Sequence, residues 1–285
     1  MRDLDQYDPR ARPARVNMIL RHAALTRLTH WLNAVCFCVL AASGMQIFNA
    51  WPALYWGQTG ADGDRAVLAI GATHDSGRLA GQLRVGPWTL PATGVLGVST
   101  LHGEPVLRAF PAWLTLPAGQ DLATGRRWHL FFAWCLVFNG ALYLAHGVVS
   151  GHLRRDLLPR RRELAPNRLW HEIVDHVRLR FPKGEAARRY NPLQQLSYLT
   201  VIGVLLPLMV LTGLSMSPAT DAAFPWLPDL FGGRQSARTL HFIAAALLVL
   251  FVVVHLAMVV LSGARNNLRS MLSGRYAIQE GDVHE

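Results

Sequence analysis

Residues 240–256 read LHFIAAALLVLFVVVHL, and every residue in the run except His241 and His255 is apolar. Imidazole is costly to bury in hydrocarbon, so each histidine in such a segment calls for a partner. The two stand 14 residues apart. At roughly 100° per residue they turn through about 1400°, some 40° short of four full turns. They therefore project from nearly one helix face, about 21 Å apart along its axis. Two ligand positions stacked on one face predict two bound groups, one toward each side of a bilayer.

The remainder of the chain supports a membrane setting. Of 285 residues, 51% are hydrophobic and only 16% charged. Four stretches, 28–49, 128–150, 196–216 and 239–262, are apolar enough and long enough to cross a hydrocarbon core of roughly 30 Å. The expected fold is an all-α membrane protein, a four-helix bundle over 28–265. A segment 1–27 precedes it and a tail 266–285 follows it. The polar, arginine-rich lead is too long for a signal peptide, so the first span is expected to stay in the protein.

The net charge of +10 is a topology signal. Of 28 Lys and Arg, six lie in 1–27, eleven in 152–195 and three after 263. The 50–127 loop carries six and the 217–238 loop two. That alternation predicts cytoplasmic termini and a cytoplasmic 151–195 loop in the inner membrane, and it excludes nucleic acid as the partner of the basic charge. Cys36, Cys38 and Cys135 sit inside apolar spans and read as core residues. No C-x-x-C-H stands ready to attach a haem covalently.

The long 50–127 loop is dense in Pro, Gly and Trp, and a loop of that length is expected to cap a site or dock a partner. Residues 167–181 space Leu169, Trp170, Ile173, Val174 and Val177 as a short amphipathic helix along the inner surface. Within it HEIVDH places His171 and His176 five apart, the wrong spacing for a zinc site, so both read as interfacial. His22, His74, His102, His152 and His284 fall in polar or loop segments and read as surface residues.

Depth supplies partners for the opening histidines. His30 in RLTHW lies just inside the cytoplasmic end of the first span, and His129 in GRRWH just inside the external end of the second. Depth pairs His30 with His255 and His129 with His241. Two neutral imidazoles from facing helices suit the axial positions of a haem iron used for electron transfer. Zinc wants three or four gathered ligands, and the four spans contain no Asp or Glu to complete such a set. The missing carboxylates also weigh against the rival class, a haem-free histidine-lined transporter. His146 follows His129 by 17 residues and is the alternative partner for His255. With Asn139 and Tyr143 it forms a polar stripe at i, i+4 and i+7, a candidate quinone site or a set of inter-helix hydrogen bonds. Arg27, Arg126 and Arg127 flank the ligands as candidates for propionate contact or for snorkelling to headgroups.

With RLTHW, GRRWH and the His-x13-His of the fourth span, the chain resembles the bacterial transmembrane dihaem b-type cytochromes. That superfamily includes cytochrome b561 and the b subunits of nickel-iron hydrogenases and formate dehydrogenases. SGHLRRDLLP after the second span and the long loop lean toward thiosulfate-reductase-type subunits. The resemblance covers about 28–50, 127–155 and 196–265. It implies two haem b groups on His30, His129, His241 and His255, exchange with membrane quinone, and an extracytoplasmic redox subunit docked on 50–127. The subunit would be of molybdoenzyme or hydrogenase type. A stand-alone b561-type quinone oxidoreductase acting on superoxide or another small reductant is the rival within the class.

Overall fold

The computed structural model describes residues 16–61, 63–75, 77–101, 103–151, 153–160, 162–178 and 191–279. His102, His152, His284 and the segments 1–15, 179–190 and 280–285 lie outside them. Among the described residues four helices are long and apolar enough to cross a membrane: Ala24–Phe48 (α1), Leu122–Val149 (α2), Pro192–Met216 and Arg234–Leu261 (α7), the last preceded by the short α6 (Pro218–Ala223). Each begins several residues before the corresponding apolar stretch, because the first helical turn is polar and a hydropathy window does not register it. The third is composite: α4 (Pro192–Thr200), a π-helical turn (Val201–Leu205) and α5 (Leu206–Met216). Pro207 has no N–H to offer the Gly203 carbonyl and its ring crowds that carbonyl. The wider π turn immediately before it relieves the clash.

The described residues divide into two compact units, one within 29–146 and 199–254, the other within 1–28, 147–198 and 255–285. In the first, Leu205, Ala244 and Leu248 are buried together, with Phe37, Val201 and Met209 packed against them. Apolar side chains on these helices such as Phe138, Leu250 and Val254 stay exposed.

The expectation of an all-α chain with a long loop between the first two spans is corrected here. That segment contains an antiparallel sheet of order β2-β3-β4-β5 (Ala53–Leu54, Leu68–Asp75, Arg78–Val85, Trp88–Pro91) and a separate hairpin, β6 (Gly97–Leu101) with β7 (Glu104–Arg108). Pairing of Asp75 with Arg78, Val85 with Trp88 and Leu101 with Glu104 leaves two residues at each turn, and each turn contains a glycine at positive φ: Gly77, Gly86 and Gly103. Leu54, Ile70 and Ala109 form a small core with Phe48 from the end of α1, and Phe242 of α7 packs against it. The β structure thus sits on the helix ends that carry His129 and His241.

Two devices fasten it there. The start of α7 is held by carbonyls of the 51–57 segment, which contains β2. Arg238 donates to the carbonyls of Trp51 and Ala53, Thr239 donates to Tyr55 O at 2.7 Å, and Gly57 O accepts from the Gln235 and Ser236 amides. Those two amides belong to the helix's first turn, whose donors have no partner inside the helix. The second device is Arg108, 1% exposed, whose guanidinium donates to Gln46 Oε1 and Thr115 Oγ1, both at 2.9 Å, and to Ala118 O at 2.6 Å. All three acceptors are neutral, and burial pulls its pKa below the ordinary guanidinium value. Arg108→Leu leaves two acceptors on buried residues, Gln46 Oε1 and Thr115 Oγ1, without their donor and is expected to lower stability by about 3 kcal/mol. Trypsin should then cut within 50–121 under conditions in which the parent resists; equal resistance would refute the brace.

In the second unit, β1 (Val16–Leu20) pairs antiparallel with β8 (Arg275–Gln279), so the two terminal segments meet in one ribbon. Asn266 bridges to it through both faces of Ala277, donating to its carbonyl and accepting from its amide at 2.9 Å. The Arg27 guanidinium donates to Leu272 O at the end of α8 (Ala264–Ser273). The helix expected at 167–181 is α3, Pro166–Val177, with Trp170 and Ile173 exposed on its surface.

Candidate functional site

The site is assembled from four helices of the first unit. His129, in the second turn of α2, and His241, in the second turn of α7, bring their ring centres to 6.3 Å with an interplanar angle of 58°. Each ring is only half-buried, whereas the groups behind it are fully enclosed. Ser43 Oγ of α1 lies 3.0 Å from His129 Nδ1, and Thr212 Oγ1 of α5 lies 3.0 Å from His241 Nδ1. Both hydroxyls are 0% exposed.

Hydroxyl chemistry settles which way these bonds run. A hydroxyl has one proton. Ser43 spends it on Val39 O at 2.6 Å and Thr212 spends it on Leu208 O at 2.6 Å, each four residues back along its own helix. Each oxygen therefore accepts from the histidine, so Nδ1 carries the imidazole proton. In this tautomer Nε2 is the unprotonated nitrogen with its lone pair available.

The arrangement fits a single metal held between two imidazoles. Two bonds of about 2.0–2.1 Å to ring nitrogens, with the ring radius on each side, span roughly 6 Å between ring centres. Among the described residues no group of three or more His, Cys, Asp or Glu gathers to hold a metal ion. A macrocycle with open axial positions is the group that a lone pair of histidines serves.

The other predicted residues are placed differently. His30 stands half-buried on α1 with its ring edge-on to Trp31 at 5.4 Å. His255 is half-buried on α7 and belongs to the other unit. Of the polar stripe on α2, Asn139 is 5% exposed and spends its amide on Thr29 O at 2.8 Å and Asn33 Oδ1 at 2.6 Å, tying α2 to α1. Tyr143 and His146 are half-buried further along the same helix. Arg126 and Arg127 are exposed in the first turns of α2, and Arg27 is engaged with the Leu272 carbonyl. Just before α2, hydrogen bonds from Thr124 hold the Asp121 carboxyl below the usual carboxylate range, with Arg127 contributing.

Ser43, Gly44, Thr212 and Gly213 were not among the predicted site residues. Their signal is a hydroxyl-glycine pair, SG at 43–44 and TG at 212–213, near one end of two otherwise apolar spans.

The family model described as prokaryotic cytochrome b561 matches residues 21–274. A protein of Azospira oryzae described as a protein-methionine-sulfoxide reductase subunit, YedZ1, is 28% identical over 240 residues, 84% of this chain and 90% of its own. A protein of Azotobacter vinelandii described as a nickel-iron-hydrogenase B-type cytochrome subunit is 30% identical over 225 residues, 70% of this chain and 87% of its own. A protein of Azotobacter chroococcum with the same description is 29% identical over 196 residues, 61% of this chain and 75% of its own. No solved structure matches the chain.

Proposed function

The chain belongs to the prokaryotic cytochrome b561 family, the membrane electron-transfer cytochromes that use haem b, and on that premise we propose that it is a dihaem subunit linking an extracytoplasmic redox partner to the quinone pool. The observation that carries the reading is the facing pair His129 and His241, each with Nδ1 engaged and Nε2 available. They are the axial ligands of an outer haem. His30 and His255 are assigned to an inner haem on helical spacing and depth, with His146 as the alternative to His30. Termini and the 151–195 loop face the cytoplasm of a bacterial inner membrane, in keeping with the distribution of Arg and Lys.

Haem b supplies a one-electron couple when bound. The protein contributes the ligand geometry, an apolar surround that keeps water from the site, and the separation of about 21 Å between ligand positions along α7. The β structure over the outer site is the docking surface for the partner, whose class is that of the relatives' own partners, a reductase or a hydrogenase. On the inner side Tyr143 and His146 offer hydrogen-bonding groups to a quinone, and Asn139 acts as the clamp between α1 and α2. Arg126 and Arg127, exposed in the first turns of α2, are assigned to contact with propionates or the partner.

The test is an optical titration of the protein purified in mild detergent. Reduced-minus-oxidised spectra are expected to show b-type bands, with two haems per chain by extraction, reducible by a short-chain quinol. Absence of any reducible b band would sink the reading; haem without quinol reactivity would remove the quinone half of it.

A further inference from the structure

Ser43–Gly44 and Thr212–Gly213 repeat one another almost distance for distance. Each hydroxyl lies 2.6 Å from the carbonyl four residues back and 3.3 Å from the one three back, and 3.0 Å from the histidine Nδ1. A Cβ built on Gly44 would sit 3.3 Å from His129 Cε1, and one on Gly213 would sit 3.5 Å from His241 Cε1. Two unrelated stretches of chain, on α1 and α5, thus present the same small seat to two histidines on α2 and α7. Packing alone does not require this: an alanine or valine would fill the same space without the hydroxyl. What the hydroxyls add is a defined proton on each Nδ1 and an acceptor that draws on it.

We propose that Ser43 and Thr212 are positioning residues that set the electron affinity of the group held between His129 and His241. Each takes the Nδ1 proton into a hydrogen bond whose oxygen is itself polarised by a backbone carbonyl. Drawing on the Nδ1 proton makes Nε2 a stronger electron donor. A stronger donor favours the oxidised metal over the reduced one, so the pair lowers the midpoint potential of the outer haem. Gly44 and Gly213 let the helix backbones approach the rings closely enough for those bonds to form. The inference rests on the assignment of His129 and His241 as haem ligands given above.

The experiment is redox potentiometry with low-temperature EPR on the detergent-solubilised full chain, comparing Ser43→Ala, Thr212→Val and the double variant with the parent. In each single variant one haem is expected to titrate at a higher potential while the other stays in place. The expected shift is about tenfold in the reduction equilibrium, ~59 mV for a one-electron couple. The EPR signal of that same haem should move, and Ser43→Thr and Thr212→Ser should restore both properties. Unmoved potentials at full haem content would overturn the proposal. So would a loss of the outer haem from Thr212→Val with no potential change in the fraction retained, since that variant keeps the side-chain volume and would reveal a packing role. A parent protein without two haems would instead count against the ligand assignment, which separates the two failures.

Discussion

On the proposed assignment, His241→Ala and His129→Ala are each expected to yield a chain that keeps one haem and loses the other. The expectation follows from geometry. The two rings face each other 6.3 Å apart, and the hydroxyls behind them leave only Nε2 for a metal. On the proposed assignment, removing either imidazole would take away one of the two ligands of the outer group and leave a cavity open to water. The outer group is then lost on purification, and extracted haem falls from two per chain to one. Transfer from quinol to an acceptor on the outer side should fall to background, because about 21 Å of apolar helix then separates the remaining haem from it. His255→Ala should remove the other haem and leave the outer spectrum intact. Comparing His30→Ala with His146→Ala then decides which of them is the partner of His255. If His241→Ala and His129→Ala each retain both haems, the outer pairing is wrong.

Gly97→Ala carries the largest structural effect. Gly97 opens β6 at φ 86°, a region that disfavours side chains by roughly 1–2 kcal/mol. A Cβ there would also lie 2.1 Å from Gly71 O and 2.8 Å from Gly81 Cα, backbone atoms that cannot swing aside. The hairpin must lift off the four-stranded sheet, for a total of about 4 kcal/mol. Gly94→Ala is the control: φ is 87° but nothing lies within 4 Å of its Cβ, so only the conformational part applies. Proteolysis of 50–121 under native conditions should therefore accelerate strongly in Gly97→Ala and slightly in Gly94→Ala. Equal behaviour would show that the close approach carries no energy.

The four spans were legible in the sequence because hydrocarbon imposes a length and a composition at once, and the family followed from where the histidines fall in those spans. The β structure was not legible. Strand β5 is exposed along its whole length, and the alternation that marks a buried face is diluted by Gly and Pro. The available clue lay in the turns, SG, GP and HG at fixed two-residue gaps, which specify hairpins without help from hydrophobic pattern. Within the site, His129 and His241 stood out because imidazole is rare in apolar spans. Ser43 and Thr212 did not, since a hydroxyl that bonds its own helix four residues back is ordinary there. Their significance lies in what reaches them from a different helix, and sequence spacing within one span does not encode it.

The clasp between the 51–57 segment and α7 has a consequence for how this region tolerates change. Four residues of the segment act through backbone atoms alone: Trp51, Ala53, Tyr55 and Gly57 accept through their carbonyls, and the Gly57 amide also donates to Ser236 Oγ at 2.8 Å. The information is therefore one-sided. Arg238, Thr239 and Ser236 must keep their side chains, whereas most positions facing them are free to drift as long as the segment keeps its path. Gly57 is the exception, at φ 94° and within 2.5 Å of the Cβ that Gly233 lacks. Divergence in the cover would accordingly leave the position of His241 unaltered, and a new surface could evolve over an unchanged histidine pair.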